Sequence, residues 1–331
     1  MTSWTRRAFH RGCLSALAAS TLHSNTWARK RETSVVLLLT GVITDGGWSQ
    51  LAFNGLKSLG PGFKTAYAEN ISLAQMQEVA RGYSDDGYDL IVGHGFEFSN
   101  SLLDIAPDYP SQQYFVSSFL PQPKVPPNIM FMNLGYFGAA YGAGALAALI
   151  SERKQAVGFV GGEDDPTQQR IQRDFIAGAR NTVKSIQALG IITGDYDNAA
   201  KGREAASTLI GNGADVIWHA ADVTGLGAIQ GAVAGNVKVM GCYSDQTSLA
   251  PHNMATSFEM NLEGMVRAVS HAVADGTFAG GTEWRPSVDW IWLLRAGANG
   301  YYNPQLVSPE AWVQFRKVWS DLAANRIVIP A

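Results

Sequence analysis

Short unbroken apolar runs alternate with amphipathic stretches along almost the whole chain, and this limits the fold more than any other feature. Val35–Leu39 reads VVLLL. Further short apolar runs stand at Leu90–Val92, Tyr114–Val116 and Ile129–Met132, and strand-like segments at Phe63–Ala68, Ala156–Val160, Ile186–Ile192, Val216–His219 and Val237–Gly241. Helical spacing fills the intervals, as in Trp48–Leu59, Leu73–Tyr83 and residues 135–151. A long helical stretch opens at Pro166, and proline suits a first helical turn. A short continuous apolar run marks a strand buried on both faces. Strand–helix repetition then requires parallel sheets covered by helices. At least nine such strands are more than one small doubly wound sheet would use. The expected fold class is α/β, with two doubly wound parallel-sheet lobes. The proline-rich segment 121–127 reads as a loop, and no clean linker divides the 331 residues. The lobes are therefore expected to share several short crossings.

Composition removes several function classes. Apolar residues make up 46% and charged residues 16%, the opposite of a disordered chain. A net charge of −3 gives no electrostatic support for nucleic acid. Two cysteines exclude a disulfide scaffold and a Cys-rich metal site.

The N-terminus reads as a leader. Thr5-Arg6-Arg7-Ala8-Phe9, with Arg11 behind it, precedes the apolar run Cys13–Leu22. That run is too short to span a bilayer. Residues 1–28 contain no acidic residue and end on the small Ala28. This is the pattern of a signal peptide, and the paired arginines give it the twin-arginine form. The expected location is the periplasm. Cys13 precedes the apolar run instead of following it, so a lipid anchor is not expected. Removing the leader leaves Cys242 alone, with no internal disulfide to form.

In open parallel sheets, ligands bind beyond the carboxyl ends of the strands. The segments there are 40–50, 93–98, 117–118, 161–165, 218–222 and 241–246. They carry the carboxylates Asp45, Glu163, Asp222 and Asp245 and the aromatics Trp48, Phe96, Trp218 and Tyr243, with no Lys or Arg. A site for an anion would want Arg or a glycine-rich cradle. Aromatics and acids instead suit a neutral or weakly cationic planar ring, stacked on its faces and held at its N–H edges. Each residue has a plainer reading. Asp45, Asp164 or Asp165 could cap a helix, Asp222 could favour a helix N-terminus, and Trp48 or Trp218 could be core. His94 and His219 read as hydrogen-bonded structural histidines. The tryptophans 284, 290, 292, 312 and 319 read as packing of the C-terminal lobe.

Enzyme motifs are scarce. Walker A, His-Glu-x-x-His and Gly-x-Ser-x-Gly patterns do not occur. Gly225-Leu-Gly-Ala-Ile-Gln-Gly231 has the wrong spacing for a dinucleotide turn and follows Asp222, which would repel pyrophosphate. No cofactor or metal is expected.

Six segments in order resemble the basic-membrane-protein family of substrate-binding proteins, of the purine-nucleoside-receptor type. They are Asp45-Gly-Gly-Trp-Ser-Gln, Val92-Gly-His-Gly-Phe-Glu-Phe, Gly158-Phe-Val-Gly-Gly, Asp195-Tyr-Asp-Asn-Ala-Ala-Lys-Gly-Arg-Glu-Ala, Asp215-Val-Ile-Trp-His-Ala-Ala and Gly241-Cys-Tyr-Ser-Asp-Gln. The resemblance implies a type I periplasmic binding protein, with three crossings and a ligand between the lobes. It places the first lobe in 34–133 plus 245–281 and the second in 134–244 plus 282–331. It implies delivery of a purine nucleoside or related base to the permease of an ABC importer, by a monomer without catalysis. Asp45 would take a base edge, Trp48 would lie near the base, and Trp218 would be the stacking aromatic of the second lobe. Phe96, Asp222 and Asp245 complete the expected ligand set. This chain departs from the family pattern at Ser49, at Asp222-Val223 in place of a Gly-Gly pair, at Tyr243 in place of an acid and at Met260 in place of a lysine. These changes imply a free base or base-like heterocycle over a nucleoside. An exported enzyme acting on nucleosides through Asp45, Glu163 or Asp222, and an extracytoplasmic sensor module, are the alternatives.

Overall fold

The computed structural model describes residues 31–118, 124–297 and 300–329, so the leader reading of 1–28 lies outside the described residues. The chain opens with β1 (Thr33–Leu39), α1 (Trp48–Lys57), β2 (Phe63–Ala68), α2 (Met76–Asp85), β3 (Leu90–His94), α3 (Phe98–Ile105), β4 (Gln113–Val116) and β5 (Ile129–Met132). Then come α4 (Tyr136–Ile150), β6 (Ala156–Gly161), α5 (Pro166–Thr182), β7 (Gln187–Ile192), α6 (Ala199–Gly211), β8 (Ala214–Ala220), α7 (Asp222–Ala234), β9 (Lys238–Tyr243) and β10 (Met254–Met260). It ends with α8 (Leu262–Ala274), β11 (Thr282–Trp284), α9 (Val288–Ile291), β12 (Trp292–Arg295) and α10 (Pro309–Ala323).

Two six-stranded sheets form, in the orders β11-β5-β4-β3-β1-β2 and β12-β10-β9-β8-β6-β7. Every pairing is parallel except that of β10 with β12. The expected α/β class with two doubly wound lobes is thus what the sequence folds into. In each sheet the strand order reverses once beside the first strand, between β1 and β3 and between β6 and β8. Loops leaving such a reversal diverge and open a crevice at the strand ends.

The lobe boundaries differ from expectation. Strand β10 pairs with β9 and β12, so residues up to Met260 belong to the second lobe. The return crossing falls at Asn261 instead of near 245, and α8 packs on α1 and β1. Strand β11 adds to β5 in the first sheet, so 282–284 belong to the first lobe. A strand goes where its backbone N–H and C=O groups find partners, and those edges were open.

The three crossings are laced together. The Asn133 N–H donates to Trp284 O (2.8 Å), and the Asn261 N–H donates to Ile291 O (2.8 Å). The Trp292 indole N–H donates to Leu134 O at 2.7 Å. Gly135 sits between these contacts at φ +62°, a left-handed conformation that suits glycine. Trp292 and Trp319 are buried, and Trp319 packs on Phe258 in the second lobe at 5.7 Å. Trp284 belongs to the first sheet and touches Trp290 at 5.0 Å, so the C-terminal tryptophans bridge the crossings as well as packing one lobe.

The small-residue stretch 135–151 has a packing cause. Helices α4 and α5 cross backbone to backbone. A Cβ on Gly144 would run into the Phe175 carbonyl, and one on Gly178 into that of Tyr141. Among the described residues, no helix is long and apolar enough to cross a membrane.

Candidate ligand-binding cleft

A cavity of about 740 Å³ lies where the two strand-order reversals face each other. That is within the usual range for small-molecule sites. Its walls come from loops after β1 and β3 in the first lobe and after β6, β7, β8 and β9 in the second.

The first-lobe wall is built on a helix start. The Asp45 carboxylate accepts the backbone N–H groups of Gly47 (2.9 Å), Gln50 (3.0 Å) and Ser49 (2.7 Å), which fixes the loop to the first turn of α1. Trp48, half-buried, stacks on His94 with centroids 4.0 Å apart. His94 is wholly buried and bonded at both nitrogens. Its Nε2 meets Trp48 O at 3.0 Å, and a carbonyl can only accept, so Nε2 carries the proton. Its Nδ1 then accepts from the Ser117 hydroxyl at 2.7 Å, while Ser117 Oγ accepts the Gly95 N–H at 3.0 Å. Burial pushes this imidazole down to about 4, which keeps it neutral. Gly95 has φ +127°, and Glu97 folds its carboxylate over the position a Cβ would fill.

The second-lobe wall uses the same devices. Asp165 caps α5 by accepting from the Thr167 (2.7 Å) and Gln168 (2.9 Å) N–H groups. The Gln168 amide donates to Ala220 O at 2.9 Å, yet its buried Oε1 has no partner. Gln246 Oε1 accepts from His219 Nε2 (3.0 Å) and the Cys242 N–H (3.0 Å), bracing the ends of β8 and β9. Burial likewise lowers His219 to about 4. Both histidines are therefore the structural residues the sequence suggested.

Two cleft residues adopt left-handed backbone without being glycine. Tyr243 has φ +72° and Asp222 has φ +44°. For a bulky side chain this costs roughly 1–2 kcal/mol. Such strain persists only when neighbours hold it, and Tyr243 lies against Trp292 (6.5 Å), which also carries Tyr136 (5.4 Å).

Charge in the cleft is one-sided. Asp45, Glu97, Glu163, Asp165, Asp197, Asp222 and Asp245 line it, and no Lys, Arg or His lines it among the described residues. Desolvation, then the charges of Asp45 and Asp197, raises the Asp222 carboxyl to about 7. Its side chain keeps contact with water, which screens part of that effect. Desolvation also raises Glu97, with the charges of Asp165 and Glu163 adding to it.

Of the six expected ligand residues, Asp45, Trp48, Phe96, Asp222 and Asp245 line the cavity. Trp218 does not. It is 1% exposed and packed among Phe159 (5.5 Å), Phe175 (5.9 Å) and Phe258 (5.9 Å). It lies two residues before the end of β8, inside the sheet layer, so its ring fills the core. Met260 is likewise 1% exposed and paired with Trp292, away from the lining. Asp45 and Asp245 spend their oxygens locally. Asp245 accepts from Thr247 N–H (3.0 Å) and from the Gly297 N–H (3.0 Å). Glu97, Tyr136, Gln168, Tyr196 and Asp197 also line the cavity, beyond the residues expected from the sequence. Tyr196 and Asp197 sit in the loop after β7, and strand-end position alone could have found them.

A family model described as ABC transporter substrate-binding protein, PnrA-like, matches residues 32–290. Basic membrane protein A of Borreliella burgdorferi is 26% identical over 304 residues, covering 90% of this chain and 87% of its own. The ABC transporter nucleoside-binding protein BmpA of Lactococcus lactis is 26% identical over 264 residues, covering 72% of this chain and 74% of its own. The crystal structure of an ABC transporter system solute-binding protein from Aeropyrum pernix superposes with a TM-score of 0.78 at 20% identity, covering 90% of this chain and 93% of that one. That likeness is one of fold.

Proposed function

Because this chain belongs to the PnrA-like family of ABC transporter substrate-binding proteins, we propose that it captures a purine-type heterocycle, as base or nucleoside, outside the cytoplasm and presents it to an importer permease. The observation that carries this reading is the lining of the cleft. Trp48 and Phe96 from one lobe and Tyr196 and Tyr243 from the other offer aromatic faces on both sides of a flat ring. Phe96 is 41% exposed, an apolar surface that a ligand would cover. Glu163 and Asp222 offer acceptors for ring N–H groups or ribose hydroxyls. The name of the Lactococcus lactis relative supports the nucleoside class, and the twin-arginine pattern of residues 5–11 supports export.

With Met260 in the core, the ground for a free base over a nucleoside narrows to Ser49, Asp222 and Tyr243. The protein works as a monomeric clamp. Bending at the three crossings brings the lobes together on the ligand. A thermal-shift screen with adenine, adenosine, inosine and guanosine, beside amino acids and sugars, tests the reading. A purine should raise the melting temperature in a concentration-dependent way. A shift with an amino acid or a sugar, and none with any purine, would refute it.

A further inference from the structure

We propose that the ligand carries a positive charge on its ring, so that the cleft is a trap for a cationic nitrogen heterocycle. This rests on the cleft being the ligand site, and it replaces the neutral ring suggested by the sequence.

Three of the seven lining carboxylates are engaged by backbone N–H groups, at Asp45, Asp165 and Asp245. Glu97, Glu163, Asp197 and Asp222 have no hydrogen-bond partner on another described residue. The acids also oppose one another across the cleft. Glu97 of the first lobe faces the charges of Glu163 and Asp165 in the second, and Asp222 of the second faces that of Asp45 in the first. Closing the lobes shortens these distances and expels water. Like-charge repulsion rises as the separation and the effective dielectric fall. A neutral ring would leave that repulsion in place and oppose its own enclosure. A cation between the walls turns each opposed pair into two attractions, so closure and binding favour each other.

The remaining groups fit the same ligand. The cleft's aromatic lining comes from both lobes. The faces of Trp48, Phe96, Tyr196 and Tyr243 attract a cation through their quadrupoles. A bare metal ion does not fit, because no group of three or more His, Cys, Asp or Glu among the described residues is placed to hold one. Acids spread over two walls, with aromatics between them, suit an organic cation.

Calorimetric titration of the purified chain with two matched pairs tests this. The pairs are adenosine with 1-methyladenosine, and nicotinamide with 1-methylnicotinamide. In each pair the methylated ring carries a positive charge at neutral pH and the parent does not. The expected result is about tenfold or tighter binding of the methylated member, a preference that shrinks at high salt. The double variant Glu97→Gln/Glu163→Gln should lose the preference while its melting temperature stays level or rises, because it removes repulsion. Adenosine binding as tightly as 1-methyladenosine overturns the charge inference and leaves the purine reading standing. Preference for 1-methylnicotinamide with no binding of either purine supports the charge inference and overturns the purine reading. Binding of none of the four overturns both.

Discussion

Replacing His94 by glutamine tests how the first-lobe wall is held. The folded imidazole is neutral because burial lowers it from its ordinary 6.5 to about 4, and because Ser117 donates to its Nδ1. Below pH 6.5 the unfolded chain takes up a proton at this residue that the folded chain refuses. The stability tied to neutral His94 is therefore present above pH 6.5 and is lost as pH falls toward 4. Fully expressed, the gap is worth about 3 kcal/mol. About 2 kcal/mol of it develops between pH 7 and pH 5. His219 acts in the same direction, whereas Glu97 and Asp222 are raised and act in the opposite one. The overall pH curve is a balance of these groups. The difference between wild type and His94→Gln removes what they share. Urea denaturation followed by tryptophan fluorescence at pH 7, 6 and 5 measures it. The variant should start less stable at pH 7, since it loses the stack on Trp48 and the bond to Ser117. Its deficit should then shrink by about 2 kcal/mol by pH 5, as the wild type loses its own advantage. A deficit that stays constant would mean that His94 titrates near its ordinary value in the folded protein, and one that widens that it titrates above it.

The two tryptophans separate stability from binding. Trp218→Ala should cost about 3–5 kcal/mol in urea denaturation and leave the affinity of the folded fraction unchanged. Trp48→Ala should cost less and abolish the ligand-induced thermal shift. A Trp218→Ala protein that folds normally but cannot bind would return Trp218 to the ligand set. Gly144→Ala should destabilise the second lobe by about 1–3 kcal/mol, although alanine is the better helix former, because its methyl would drive α4 off the Phe175 carbonyl. Increased stability in that variant would refute the backbone-to-backbone crossing.

The strands were legible where both neighbouring layers bury them. In β1, β6 and β8 nearly every residue is buried, and a continuous apolar run is the direct imprint of that environment. Strand β10 is as buried, but its sequence includes Thr256, Ser257 and Glu259. Those polar groups are satisfied inside the fold. The Thr256 hydroxyl donates to Tyr301 O at 2.7 Å, and Ser257 Oγ accepts the Gln246 N–H at 3.0 Å. Such partners sit in loops 11 and 45 residues away, which a run of apolar letters does not show, so the strand looks broken and the expected lobe boundary falls ahead of it. Trp218 failed for a related reason. With a fully buried strand, alternation cannot tell an inward ring from one at the mouth, and two positions along the strand separate the core from the cleft.

The cleft's charge was hidden in a different way. Read singly, each acid has a local explanation: Asp45 and Asp165 hold helix starts, and Asp222 opens α7. Helix N-termini sit at the carboxyl ends of parallel strands, so an α/β lobe gathers such acids at one end for reasons of helix stability alone. Two lobes joined end to end then turn their acidic ends toward each other. Helix stability accounts for the carboxylates that N–H groups already occupy. Glu97 stands at the N-cap of α3 and Glu163 three residues ahead of α5, so helix ends favour both, yet neither carboxylate caps the N–H of another residue, and Glu97 lies in the field of Asp165 and Glu163 of the other lobe. Those two keep oxygens that no backbone donor of another residue takes up, whereas Asp45 is spent on three N–H groups, which is why the double glutamine variant, and not a change at Asp45, is the decisive substitution.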